Sequence, residues 1–166
     1  MDKIINIGEL TTASEIRRIT DCIRAALICI DGEKEGEIHG KIQNCYLKSP
    51  ISYYNLGDLI LKLDEMCNWL KTPHYAMEPR FFNKETKERY WKRVEQKKNE
   101  QVKGKFECLN TSQTFSKEVK TQKTLLVKIE FRQNASLQGY VMCKSMKGQS
   151  IKFRSALELM RMIKEM

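Results

Sequence analysis

The sequence predicts an α+β fold: an internally duplicated β-β-β-α unit whose antiparallel sheets share one core, with helices packed on it and a basic connector helix between the copies. Three observations carry this prediction. First, two stretches about a hundred residues apart align. Leu27-Ile28-Cys29-Ile30-Asp31 falls on Leu126-Val127-Lys128-Ile129-Glu130 with an offset of 99, and the same offset carries Ile38-His39-Gly40-Lys41-Ile42 onto Leu137-Gln138-Gly139-Tyr140-Val141. After a one-residue slip, Tyr53 to Ile60 falls on Phe153 to Met160, and Glu65-Met66 on Glu165-Met166. Second, each stretch runs from alternating apolar strands into a helical apolar pattern. Third, one copy is too small to bury an adequate core alone, so the two are expected to share one.

In chain order, Thr12-x-x-Glu15 has the form of a capping box and predicts a helix near residues 13–23, with Ile16, Ile19 and Ile23 at helical spacing. The apolar run Ala25–Ile30 is a strand expected to turn at Asp31-Gly32. Gly36–Ile42 is a half-buried strand, with Ile38, Gly40 and Ile42 on one face, and Ile51-Ser52-Tyr53 follows as a short third. Asn55 can cap a helix whose apolar face is Leu56, Leu59, Ile60, Leu63, Met66, Cys67 and Leu70. Asp58, Asp64 and Glu65 are placed on its outer face, and Pro73 is expected to stop it.

The second copy repeats this order. Leu125, Val127, Ile129 and Phe131 alternate with Lys128, Glu130 and Arg132; Gln133–Ser136 makes a turn; Leu137, Gly139 and Val141 repeat the earlier face. Lys147-Gly148 turns again, Ile151–Phe153 is the third strand, and Ser155 caps a helix that buries Ala156, Leu159, Met160 and Ile163. Between the copies, Glu85–Val102 is nearly free of aliphatic residues. Its Glu85–Arg89 and Glu88–Lys92 pairs, four apart, support an exposed helix by about 0.2–0.5 kcal/mol each. Gly104 ends it, and residues 107–123 read as a polar linker. The parts are therefore 1–78, 79–123 and 124–166, forming one body.

The 41% hydrophobic and 31% charged residues mark a folded chain. No run approaches the ~20 apolar residues of a membrane helix, and the start lacks a signal-peptide pattern, so a cytoplasmic location is expected. None of the six cysteines (22, 29, 45, 67, 108, 143) forms a Cys-x-x-Cys pair or stands at metal-ligand spacing from His39 or His74, which predicts structural thiols and no metal. Cys29 and Cys45 are placed in strands. Net charge is +9, unevenly spread: residues 1–78 hold 9 Lys/Arg against 12 Asp/Glu, residues 79–166 hold 21 against 9, and 79–123 alone hold 13 against 6. An anionic partner for the basic part, nucleic acid first, is the expectation.

The segments Arg132-Gln133-Asn134-Ala135-Ser136-Leu137-Gln138-Gly139 and Phe153-Arg154-Ser155-Ala156-Leu157-Glu158-Leu159, with Gly40 to Pro73 upstream, resemble a family of small proteins of clostridia and related Firmicutes. The resemblance covers residues 24–80 and 124–166. It departs at Ser136-Leu137, where Thr-Trp is usual. It implies the boundaries of the fold and a Gram-positive source; the family carries no established activity to transfer. Asn134-x-Ser136-x-x-Gly139 also matches half of the PilZ signature, but no Arg-x-x-x-Arg precedes it to grip a cyclic dinucleotide, so a turn is the better reading.

The candidate nucleic-acid-binding residues are Lys87, Arg89, Tyr90, Trp91, Lys92, Arg93, Lys97 and Lys98, with Arg132 and Arg154 added from a face that also holds Lys144 and Lys152. The cations neutralise phosphates and Tyr90 or Trp91 stacks on an unpaired base. The competing reading makes Tyr90, Trp91 and Val94 the inner stripe of the connector helix, docked on the body, with its charges merely solvated. Catalysis is not expected: neither histidine has a placed nucleophile, Asp64 and Glu65 diverge by about 100° on a helix, and no Gly-rich phosphate loop occurs. The sequence therefore points to a non-enzymatic accessory or regulatory protein contacting RNA or DNA, without cofactor. A protein-interaction adaptor, possibly self-associating, is the alternative, and a small-molecule or cyclic-dinucleotide sensor the third.

Overall fold

The computed structural model describes residues 23–104, 123–143 and 149–166. The helix expected near residues 13–23, most of the linker, Lys144 and the Lys147-Gly148 turn lie outside the described residues. Over these residues the fold is α+β, an open antiparallel sheet with three α-helices described. Its strands are β1 (Ala25–Lys34), β2 (Glu37–Gln43), β3 (Ile51–Tyr53), β4 (Lys123–Phe131), β5 (Gln138–Cys143) and β6 (Ile151–Phe153). They lie in the order β3-β2-β1-β4-β5-β6. The helices are α1 (Leu56–Leu70), α2 (Lys84–Gln101) and α3 (Ala156–Lys164).

The β1–β4 seam joins the two halves into one sheet, and Leu27 lies directly opposite Leu126, the residue 99 positions on. Each half carries the same irregularity at corresponding places: the register shifts between Ile30 and Gly32 in β1 and between Ile129 and Phe131 in β4. Such a shift bends the strand and sharpens its twist. Beyond it Gly40 faces Tyr53 and Gly139 faces Phe153. A Cβ at Gly40 would sit 1.9 Å from the Cys29 carbonyl oxygen, and one at Gly139 1.8 Å from that of Lys128. The strands thus approach too closely there for any side chain. The rings of Tyr53 and Phe153 are both fully buried, and Tyr53 Oη donates to Cys29 O at 3.0 Å.

Ala26, Ile28 and Ile30 of β1 and Leu125, Val127 and Ile129 of β4 alternate onto one face, where α1 supplies Leu59, Leu63 and Met66 and α3 supplies Leu159 and Ile163. Alternation on one face is what an antiparallel sheet covered on one side requires. Ala156 and Met160, expected inside, are only half-buried. Asn55 and Ser155 cap α1 and α3 by accepting from the N–H groups of Asp58 and Glu158.

Two boundaries differ from the sequence expectation. Strand β1 continues through Asp31-Gly32, because the register shift absorbs Asp31 while Gly32 pairs with His39, and the hairpin turns instead at Glu35-Gly36, both at positive φ as a two-residue turn needs. Helix α1 ends before Pro73: Lys71 adopts the left-handed conformation, and Thr72 N–H donates to Cys67 O at 3.1 Å. Cys45 falls in the turn after β2 rather than in a strand. Cys29 and Cys67 are buried free thiols, and burial pushes Cys67 up to about 12.

Candidate nucleic-acid interface

Helix α2 begins where its sequence allows. Asn83 Oδ1 accepts from Thr86 N–H at 2.8 Å while Thr86 Oγ1 accepts from Asn83 N–H at 3.3 Å, a reciprocal cap. Its last turn is tied to the loop after β2 by Lys48 N–H to Gln101 O (2.7 Å) and Lys103 N–H to Tyr46 O (2.9 Å). Val94 is buried, and Tyr90 and Trp91 pack half-buried against the core. The inner-stripe reading therefore describes this helix. Tyr90 Oη accepts from Asn68 Nδ2 of α1 at 2.9 Å, and its ring meets Phe81 and Trp91 at centroid distances of 5.3 and 5.1 Å. Burial, then the nearby Asp64 carboxylate, raises the Tyr90 hydroxyl pKa. With their rings so engaged, Tyr90 and Trp91 are poorly placed to stack on a base.

The cations of α2 are divided by its geometry. Glu65 of α1, expected outside, is instead only 8% exposed and faces α2, with Arg93 Nε at 3.6 Å and Lys97 Nζ at 3.5 Å. Arg93 also lies over the Tyr90 ring and Lys97 over Trp69. Lys87 pairs with Glu78, Lys84 with Glu88 and Lys98 with Glu95. Arg89 and Lys92, three residues apart, remain exposed and, among the described residues, without an ion pair.

Arg132 is not on the surface, and that part of the expected patch must be corrected. It is 2% exposed. Its Nε donates to Pro73 O at 2.7 Å, and its Nη1 donates to Asn68 Oδ1 at 2.7 Å and Asp64 Oδ1 at 3.1 Å. Its guanidinium lies 3.7 Å from the centroid of the Tyr75 ring, whose hydroxyl donates to the other Asp64 oxygen. A buried guanidinium needs such a set of acceptors, and this one ties β4 to α1 and the segment after it. Asp64 therefore faces inward rather than to solvent.

The rest of that motif is also used internally. Gln138 closes the turn by accepting from Gln133 N–H and donating to Gln133 O, and Asn134 and Ala135 hold positive φ. Ser136 Oγ accepts from Ala156 N–H at the start of α3. Arg154 is exposed but forks onto Glu158, with Nη2 at 2.7 Å and Nε at 3.1 Å from Oε1. This hydrogen bonding holds the Glu158 carboxyl below its usual range.

One surface was missed in the sequence. On the sheet face opposite the core, Lys128, Tyr140 and Lys152 form a cross-strand row. A shallow cavity beside it is lined by Leu126, Lys128, Glu130, Tyr140, Met142 and Ser150. The available signal was Tyr140 lying out of phase with Gly139 and Val141. Among the described residues no three His, Cys, Asp or Glu side chains gather as metal ligands, and no helix is long and apolar enough to cross a membrane. No protein-family model, curated protein or solved structure matches the chain.

Proposed function

We propose that this is a non-enzymatic accessory or regulatory protein that contacts nucleic acid through the outer side of α2, read as a basic connector between two copies of a duplicated unit. The single observation that carries the contact is the pair Arg89 and Lys92, exposed and free of ion partners on a helix anchored at both ends, in a chain of net charge +9. Because Tyr90 and Trp91 turn inward, this side offers phosphate contact rather than base reading. The shared register shifts, close-approach glycines and helix caps of the two halves support the duplication. The experiment is fluorescence anisotropy of labelled single-stranded RNA, single-stranded DNA and duplex DNA across salt concentrations. R89Q/K92Q should weaken binding and lower the slope of log K against log salt by roughly 1.4–1.8, at 0.7–0.9 per phosphate contact. Unchanged affinity and slope would refute the assignment.

A second reading, a protein-interaction adaptor, is favoured by Phe82, which stands fully exposed just before α2. Its partner would present an apolar pocket for that ring and carboxylates for Arg89 and Lys92. Such docking would survive high salt far better than phosphate contact and would be lost in F82S.

A further inference from the structure

We infer that Glu65 limits how many phosphates α2 can hold: from α1, its buried carboxylate withholds Arg93 and Lys97 from the strand that Arg89 and Lys92 contact. The inference rests on the reading of α2 as a phosphate-contacting helix and adds the residue that sets its capacity. Arg89, Arg93 and Lys97 recur every four residues, so they form one row along a flank of α2 with steps of about 6 Å. Charge alone would make the whole row a phosphate track. Among the described residues only its first member is without an ion pair: Arg93 Nε stands 3.6 Å from Glu65 Oε1 and Lys97 Nζ 3.5 Å from Oε2.

This pairing differs from the others on the helix. Glu78, Glu88 and Glu95, which pair with Lys87, Lys84 and Lys98, are mostly exposed, so a phosphate can replace them while water takes up the released carboxylate. Glu65 has no such exit. Its side chain is buried, and its Oε1 accepts no hydrogen bond among the described residues, so the two cations are what offsets its charge. Rings hold both cations inward as well, Arg93 over Tyr90 at 5.4 Å and Lys97 over Trp69 at 5.9 Å. A phosphate approaching either one meets the Glu65 carboxylate as a like charge.

The test is the salt dependence of binding to a labelled single strand of about 12 nucleotides. The full chain is compared with E65Q, R89Q/K92Q, R93Q/K97Q and the triple variant E65Q/R93Q/K97Q. E65Q removes the charge with little change of shape. Its slope of log K against log salt should steepen by about 0.7 for each phosphate gained, so raising salt about fourfold should weaken it about 3-fold more than the wild type. The triple variant should return to the wild-type slope, a reversal that mere loosening of α2 would not produce. R93Q/K97Q alone should keep the wild-type slope yet melt below the triple variant, because it strands the buried carboxylate. An unchanged or shallower slope in E65Q, or a slope lowered as much in R93Q/K97Q as in R89Q/K92Q, overturns the inference. If R89Q/K92Q lowers the slope while E65Q leaves it unchanged, the contact on α2 stands without the limit set by Glu65. If E65Q steepens the slope and R89Q/K92Q changes nothing, the withheld cations stand and the contact through Arg89 and Lys92 falls. If no variant changes the slope, both fall. Should R93Q/K97Q fail to fold, the triple variant decides: a slope as steep as that of E65Q rejects Arg93 and Lys97 as the cations released.

Discussion

Replacing Arg132 separates a surface arginine from an internal strut most directly. An arginine in a nucleic-acid patch could become methionine with little effect on folding. The buried Arg132 donates to Pro73 O, Asn68 Oδ1 and Asp64 Oδ1 and stacks on Tyr75. R132M keeps much of the apolar stem but strands these acceptors. Removing one partner of a buried ion pair costs about 3–5 kcal/mol. Asp64 is a quarter exposed on its side chain and regains some hydration, so the lower end, about 3 kcal/mol, applies. At roughly 2–4 °C per kcal/mol for a chain of this size, Tm should fall by about 6–12 °C. The assay is thermal unfolding followed by circular dichroism, run as a double-mutant cycle with D64N. Because the two groups share one network, the double variant should cost at least ~1 kcal/mol less than the sum of the singles. An R132M variant melting within about 2 °C of wild type, or strictly additive losses, would refute the strut.

The close-approach glycines give a sharper contrast. G40A and G139A each drive a methyl into a backbone carbonyl and should cost about 3 kcal/mol or more, whereas G57A, with only Asn55 Oδ1 at 3.4 Å, should be neutral or stabilising by up to about 0.5 kcal/mol in the same melts. E65Q removes the carboxylate facing Arg93 and Lys97; because both cations are substantially exposed, the loss should be only about 1 kcal/mol, with faster amide hydrogen exchange confined to α2. The Cys67 thiol is raised to about 12 from 9.0, chiefly by burial, so the unfolded chain releases this proton first. Its share of stability is full below pH 9 and lost as pH rises toward 12, and urea melts between pH 8 and 11 should show a shallower decline in C67A than in wild type. At pH 8, Cys29 and Cys67 should resist a thiol-specific reagent until denaturant is added, as peptide mapping would reveal.

The sequence by itself determined the elements whose cause is local. Alternation placed Leu125, Val127 and Ile129 on one face, and Asn55 and Ser155 announced their helices because a cap acts within three residues. The offset of 99 anticipated Gly40 and Gly139 as a pair before their shared crowding was visible. Periodicity also allowed Tyr90, Trp91 and Val94 to be an inner stripe, but could not choose between that and a stacking surface.

Tertiary structure decided whatever depends on partners remote along the chain. Arg132 finds Pro73, Asn68 and Asp64 at separations of 59, 64 and 68 residues, so no local pattern could reveal that its charge is consumed internally. Glu65 looked solvated because one helix alone has an outside; α2 covers that outside and neutralises Arg93 and Lys97 in doing so. The row of Lys128, Tyr140 and Lys152 exists only once β5 lies between β4 and β6. Charge composition is a property of the chain, but which charges remain free for a partner is settled by packing, since each internal ion pair forms wherever the fold brings opposite groups within reach.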